Sequence, residues 1–341
     1  MFAVRLFGLL IAAVACLAFS GFDARAERVV IAARADVRPF IWQDDTGDNL
    51  GFFWSICVEA AKRAGYDADP RTITTAQRDD FLEGKSKEYD LLCDPTTITL
   101  VRMRNFLNAG SAPWLTFSQI VFVASGAFVN QTFDKKGHGW GVINDKRGAR
   151  CDALRDIKAT NEGVILRPPE SATFEIWGFL KGSTIGAQLQ AEISAFGGDP
   201  RLPLICTREF DTHKEAAEAF CEGRIARYFG DADIIRATIA AYNQKPGHKC
   251  SSQAGATFSG SYEPYAFVTS SFHSPDFPKR FSFELYEMFV DGTIERLFAG
   301  HFPNSRKSDP LKTLFQINTI PRGVDEPTAS TPSPVSSATK Q

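Results

Sequence analysis

The sequence has no apolar run long enough to cross a bilayer. The stretch from Leu6 to Phe19 spans about 14 residues, short of the roughly 20 that a spanning helix needs, and no later segment does better. Charge of one sign is also missing: 38 basic and 40 acidic residues leave a net charge of -2. Without a polybasic footprint there is nothing to track a nucleic-acid backbone, so the partner is sought among small molecules. The cysteines show no CxxC spacing and the five histidines are scattered, which argues against a metal centre. Catalytic signatures are missing too. There is no HExxH and no GxSxG, and KGSTIG lacks the upstream glycine of a phosphate-binding loop. No cofactor is called for.

What is present begins with an address. MFAVRLFGLLIAAVACLAFSGFDARA has an early arginine, an apolar stretch and small residues at Ala24 and Ala26, which is the grammar of a secretory signal peptide. Cleavage is expected after Ala26, leaving a mature chain of about 315 residues outside the cytoplasm, in the periplasm. Six cysteines remain, Cys57, Cys93, Cys151, Cys206, Cys221 and Cys250, and an even number in an exported chain implies disulfides. If a strand ends near Phe210 and a helix returns from Thr212, Cys206 and Cys221 lie at similar depth on neighbouring elements and are expected to pair. The same reasoning favours Cys57 with Cys93 and leaves Cys151 with Cys250.

The mature chain alternates strand-like and helical patterns. RVVIAAR, FFWSICVEAAKRAG, QRDDFLEGKSK and YDLLC follow βαβ order, which implies a mostly parallel sheet. SQIVFVASG reads as a further strand ending near Gly126. The middle repeats the grammar with EGVILRP, a helical pattern in SATFEIWGFLKG, then PLICTREF, HKEAAEAFCEG and RIARYFGD. PYAFVTSS reads as a strand and KRFSFELYEMFVDGTIERLFAGHF as one or two amphipathic helices. The expected architecture is α/β with two lobes, the chain crossing between them at IVFVASG and PYAFVTSS. The expected divisions are a signal peptide at 1–26, lobe 1 at 27–125 and 263–323, lobe 2 at 126–262, and a disordered tail at 324–341, where bulky residues are few. In open α/β sheets ligands sit beyond the carboxyl ends of strands, so two such edges facing each other make a cleft that closes by a hinge.

The stretch CDPTTITLVRMR, Cys93 to Arg104, sets hydroxyls and guanidinium groups at the end of a strand, as an anion site would. In order and spacing, RADVRPF, GFFWSICVEAAKRAG, YDLLCDPTTITLVRMRNF, AFCEGRIARYFGDADII, EPYAFVTSS and GTIERLFAGHF resemble the solute-binding proteins of polar amino-acid ABC transporters (family 3). The likeness covers nearly the whole mature chain. It implies a periplasmic-binding-protein fold with two crossover strands, an amino-acid ligand, a permease as partner and a monomer. It also implies that Arg102, a few residues after the Thr-x-Thr run, holds the ligand carboxylate, with Thr97 adding a contact. A guanidinium meets a carboxylate through two parallel hydrogen bonds. Asp231 is expected on the ammonium group; read from its residues alone, it is also an ordinary helix N-cap. Members that take glutamate or aspartate resemble this chain at Arg34 and at Arg78 with Thr75 ahead of it, and three arginines in one lobe suit two carboxylates. Without the likeness, Arg34 and Arg78 pair with Asp36, Asp79 or Asp80, and Arg104 stays at the surface.

Departures from the family pattern bear on the ligand. Asp94-Pro95 stands where a glycine and a small residue are common, adding a carboxylate and removing a backbone donor. Arg167-Pro168-Pro169-Glu170-Ser171 replaces a Gly-Thr-Thr turn, with Ser171 as an N-cap. The aromatic that stacks on the ligand is replaced by Val37, with Phe40, Trp42, Phe52 or Phe53 as substitutes. Two rival roles remain. A few relatives of the fold are periplasmic dehydratases of prephenate-like acids, for which Asp94 or Glu170 beside Arg102 would supply the acid. The same clamp also serves as a ligand sensor for a membrane receptor.

Overall fold

The computed structural model of the chain describes residues 26–107, 110–131, 174–186, 188–189, 193, 204–254, 262–303 and 305–323. Its first lobe is built on β1 (Glu27–Arg34), flanked by β5 (Tyr66–Ile73) and β6 (Leu91–Thr97), all parallel. Parallel sheets are covered on both faces, and the second half of β1 is accordingly apolar at successive positions, with Ile31, Ala32 and Ala33 buried. Helix α1 (Phe52–Arg63) buries Phe52, Phe53, Ile56, Cys57, Ala60 and Ala61, an i, i+4 stripe that meets the sheet. It ends before Gly65, whose φ of 89° is the left-handed geometry that glycine adopts without strain. Helix α2 (Thr75–Leu82) starts from a capping box between Thr74 and Gln77. A small antiparallel ribbon of β2 (Asp36–Val37), β3 (Ile41–Gln43) and β4 (Asn49–Leu50) follows β1.

Two long strands carry the chain between lobes. After β7 (Leu115–Phe117), β8 (Phe122–Gln131) and β13 (Tyr262–Ser270) run antiparallel, Tyr262 opposite Ser125 and Tyr265 opposite Phe122. Beyond that overlap β13 pairs with β6 in the first lobe, and β8 pairs with β11 (Arg227–Asp231) in the second. The second lobe adds β9 (Phe174–Leu180) and β10 (Leu204–Phe210), with β9 parallel to both β10 and β11, and β12 (Ser252–Ala254) on β8. The continuous sheet therefore runs β10-β9-β11-β8-β13-β6-β1-β5, and the two-lobed α/β fold with two crossover strands stands. The short α3 (Leu100–Asn105) follows β6, and the middle and end carry α4 (His213–Cys221), α5 (Ala232–Asn243), α6 (Phe277–Val290) and α7 (Thr293–His301). A last helix, α8 (Asp309–Asn318), sends the Asn318 amide to the Ile120 carbonyl at 2.7 Å, bracing the start of β8. No helix of the described residues is long and apolar enough to cross a membrane.

Three expectations need correction. The helical reading of SATFEIWGFLKG fails, because Phe174–Leu180 is strand β9. Ile176, Trp177, Phe179 and Leu180 are all buried; a strand covered on both faces shows no alternation, and a short apolar run does not reveal its period. The strand placed to end at Gly126 continues to Gln131, since β11 and β12 pair with its extension. The disulfide prediction holds only in part. Cys57 and Cys93 are bridged with Cα atoms 6.1 Å apart, joining α1 to β6. Cys221 is bridged to Cys250, with a Cα separation of 4.7 Å, and not to Cys206. Cys206 is disulfide-bonded, but not to Cys221, and Cys250 is not available to Cys151. Similar depth on adjacent elements does not fix side-chain direction: Cys221 is the last residue of α4, and the turn after α5 brings Cys250 to it. Cys151, Ser171, Glu170, EGVILRP, the expected signal peptide up to residue 25 and the expected tail from residue 324 lie outside the described residues.

Candidate functional site

The carboxyl ends of β1, β6, β9 and β11 and the start of β13 converge on one cleft, lined among others by Arg34, Arg78, Asp94, Thr97, Arg102, Asp231 and Glu263. This is the edge where open α/β sheets place ligands. On the first-lobe side the Thr run divides its labour. Thr99 caps α3 by accepting the Arg102 amide at 3.2 Å, which turns the chain so that the Arg102 guanidinium folds back. Its Nη1 donates to the Thr97 carbonyl at 2.8 Å. Nη2 reaches across the cleft to the Gly182 carbonyl at 3.4 Å. No carboxylate of the described residues is ion-paired with Arg102. Burial and, next, the Arg78 charge bring its guanidinium down to about 10.

Arg34 and Arg78 are differently placed. Both are buried, and both meet Asp94, which is 2% exposed. Arg78 Nε donates to Asp94 Oδ2 at 2.7 Å, and Arg34 Nε lies 3.7 Å from Oδ1. Each also keeps an outer partner, Asp79 for Arg78 at 3.0 Å and Asp36 for Arg34 at 3.4 Å. The carboxylate that departs from the family pattern is thus the shared counter-ion of two arginines. Its placement follows from register: Ala33 pairs with Cys93, so the next residues of β1 and β6, Arg34 and Asp94, are neighbours.

The second lobe supplies the turn after β9, the end of β11 and the start of α4. Gly182 has φ 68°, the left-handed geometry that glycine adopts without strain, and it packs against the first lobe, where a Cβ would lie 2.6 Å from Asp79 Oδ2. Two further bonds tie the lobes. The Thr75 hydroxyl donates to the Asp211 carbonyl at 2.7 Å, and the His213 amide donates to Asp36 Oδ2 at 2.7 Å. His213 is fully enclosed, with Nδ1 2.7 Å from the Tyr228 hydroxyl. Burial first, then the Arg34 charge, push it down to about 4, so it is a neutral imidazole at ordinary pH.

Asp231, at the end of β11, makes no side-chain cap for α5. Its Oδ1 is buried without a hydrogen bond. Burial, then the charge of Glu263, raise its carboxyl well above the usual range, with the Tyr265 hydroxyl acting in the other direction. Glu263, which the sequence reading passed over, accepts from Thr97 Oγ1 and from Thr184 Oγ1, each at 2.5 Å and both on Oε2. Its Oε1 has no partner.

Of the predicted site residues, the structure brings Arg102, Thr97, Asp231, Arg34 and Arg78 together. Thr75 is a tie between lobes and not a wall of the cleft. Phe40 is fully buried in the first-lobe core, edge-on to Phe53, Phe122 and Tyr265, and takes no part in the cleft. Phe52 and Phe53 belong to the same core. The aromatic rings that do line the cleft are Phe229 and Tyr265, neither of them signalled by local pattern. Among the described residues no group of three His, Cys, Asp or Glu side chains is arranged to hold a metal ion.

The family model for bacterial extracellular solute-binding proteins, family 3, matches residues 29–304. A search of curated proteins finds no match. Among solved structures, the chain is similar to an ancestral arginine-binding protein bound to glutamine, with 21% identity and a TM-score of 0.54 over 81% of this chain and 97% of that one. It is also similar to ArtJ, an arginine-, lysine-, histidine-binding protein from the thermophilic bacterium Geobacillus stearothermophilus, with 18% identity and a TM-score of 0.56 over 84% and 100%. A third is an ancestral amino-acid-binding protein described as a precursor of cyclohexadienyl dehydratase, with 18% identity and a TM-score of 0.53 over 81% and 95%. At these identities the likeness is one of fold.

Proposed function

Since the chain belongs to the bacterial extracellular solute-binding proteins of family 3, we propose that it captures a polar amino acid between its lobes, in the periplasm, and delivers it to the permease of an ABC transporter. In this reading residues 1–26 are the export signal, 126–262 form the second lobe and 27–125 with 263–323 the first. Arg102 takes the ligand carboxylate and Asp231 the ammonium. The observation that carries the reading is the contrast among the three arginines. Arg34 and Arg78 are paired with carboxylates, whereas among the described residues Arg102 bonds only main-chain oxygens, one from each lobe, in a cleft that also holds an unpartnered Asp231 oxygen. One available guanidinium suits one carboxylate. A neutral or cationic side chain therefore fits better than an acidic one, and the names of the structural relatives, bound to glutamine or binding arginine, lysine and histidine, agree.

Contacts from both lobes favour the closed form, which is what a ligand must do to shift the equilibrium. The test is a thermal-shift screen of refolded mature protein against the amino acids, beside Arg102→Ala. A ligand at a hundredfold excess over Kd stabilises by about 2.7 kcal/mol. Arg102→Ala is expected to melt like wild type without ligand and to show no shift; a retained shift removes Arg102 from the site. An enzymatic reading is favoured by the raised Asp231 carboxyl in the cleft that Arg102 also lines, because a protonated acid in one site with a carboxylate anchor suits water elimination. Asp94, bound to two arginines, is not free for that role. Aromatic product released from prephenate by wild type, but not by Asp231→Asn, would establish it.

A further inference from the structure

We propose that Asp36 and Thr75 are positioning residues that clasp one turn of the second lobe and draw the clamp shut before a ligand is held. The inference concerns how the lobes meet and does not depend on which ligand the cleft takes.

The turn from β10 into α4 passes through Asp211 and Thr212 to His213, the first residue of the helix. The first amides of a helix have no partner within it. Thr212 serves one of them by accepting the Glu215 amide at 3.1 Å. The His213 amide is served from the other lobe, by Asp36 Oδ2 at 2.7 Å. An anion at a helix N-terminus also gains from the helix dipole, so Asp36 completes a cap that α4 acquires only when the lobes meet. On the same turn the Asp211 carbonyl accepts from the Thr75 hydroxyl at 2.7 Å. A backbone acceptor and a backbone donor, two residues apart, are thus both held from the first lobe, by side chains on α2 and β2. Two bonds of opposite sense on one turn fix its orientation as well as its distance.

Both side chains are braced for this. Thr75 is the first residue of α2, directly after the capping box at Thr74, and the other oxygen of Asp36 lies 3.4 Å from Arg34 Nη2. Little side-chain freedom is then lost when the lobes close. Neither Asp36 nor Thr75 lines the cleft, and this separates their bonds from the others that span it. Arg102 to Gly182 and Glu263 to Thr184 join residues of the lining, where a ligand competes for the same atoms. The clasp needs no guest, and no guest displaces it. A charge-assisted and a neutral hydrogen bond together move the balance toward the closed form by roughly tenfold or more. Ligand contacts add to a balance already tilted. A ligand enters the open form alone, so the clasp slows entry and escape together.

Small-angle scattering of the refolded, ligand-free mature protein reads closure directly, and stopped-flow binding of L-glutamine and L-arginine reads its kinetic consequence. Wild type is expected to scatter as the closed structure does and to change little when either probe is added. Thr75→Val, which keeps the shape of the side chain and removes only the hydroxyl, is expected to have a larger radius of gyration without ligand, as is Asp36→Ala. Thr75→Ser is expected to restore the compact form. In stopped flow both disruptive variants should take up a bound probe faster than wild type and release it up to about tenfold faster. A residue that merely supports the fold would leave the entry rate where it was. Asp36→Ala also removes a partner of Arg34; should it fail to fold, Thr75→Val carries the test. A wild type that is open without ligand, or a Thr75→Val that scatters and binds like wild type, overturns the proposal and leaves the amino-acid reading intact. Silence of both probes counts against that reading instead, and the scattering still decides the clasp.

Discussion

Asp94→Asn removes one charge while keeping the shape of the side chain, and its consequences follow from the geometry around it. In wild type Asp94 serves Arg78 at 2.7 Å and Arg34 at 3.7 Å, all three side chains being almost wholly buried. Breaking a buried pair from one side typically costs about 3–5 kcal/mol, because a charge is left uncompensated. Here each arginine retains a second carboxylate, Asp79 at 3.0 Å and Asp36 at 3.4 Å. The expected cost is therefore near the lower end, about 3 kcal/mol. For a chain of this size, with a shift of roughly 2–4 °C per kcal/mol, the melting temperature should drop by roughly 6–12 °C. The same substitution exposes two guanidinium groups to the cleft. The ratio of L-glutamate to L-glutamine affinity should then rise by about tenfold, a change of about 1.4 kcal/mol. Thermal melts and calorimetry with the two amino acids read both quantities. A variant that melts within a degree or so of wild type and keeps the wild-type ratio would refute the view that Asp94 neutralises these arginines.

Three further outcomes are expected. His213 falls to about 4 in the folded protein from about 6.5 in the unfolded chain. The folded state thus binds fewer protons, and stability present above pH 6.5 is lost as pH falls toward 4, by up to about 3 kcal/mol. Urea melts across that window should show the loss in wild type and a shallower slope in His213→Gln; equal slopes would clear His213 of the role. Asp231 has the opposite sign: its raised carboxyl favours the fold at low pH and loses that contribution as pH rises through its folded value. Asp231→Asn should therefore melt higher than wild type at pH 8 while losing ligand, and a lower melting point there would contradict it. Peptide mapping without reductant should recover Cys221 joined to Cys250, whose closed loop of 29 residues is worth about 3–4 kcal/mol by chain entropy. A Cys206–Cys221 peptide would count against that connectivity.

How much of this was open to sequence reasoning depends on the range over which each feature is specified. The βαβ order of the first lobe is local, and it read correctly. Arg102 and Asp231 could be placed in the cleft because one sits a few residues past the end of β6 and the other at the end of β11, where a resemblance in order and spacing points. β9 was misread because burial on both faces erases the alternation that identifies a strand. Glu263 was missed for a different reason: in EPYAF it is one acid before a proline, and nothing nearby marks it. Its meaning lies in Thr97 and Thr184, which are separated from it by 166 and 79 positions. Asp94 is the most instructive residue, because its presence was noticed and its effect was not. The three arginines, counted along the chain, predict a cleft for two carboxylates. The register that sets Ala33 against Cys93 brings Asp94 to Arg34, and the fold of α2 brings it to Arg78. Two of the three positive charges are then answered by the protein itself. Charge density in a sequence marks where a polar site lies, but the charge left for a ligand is what remains after internal pairing, and pairing is decided by strand register.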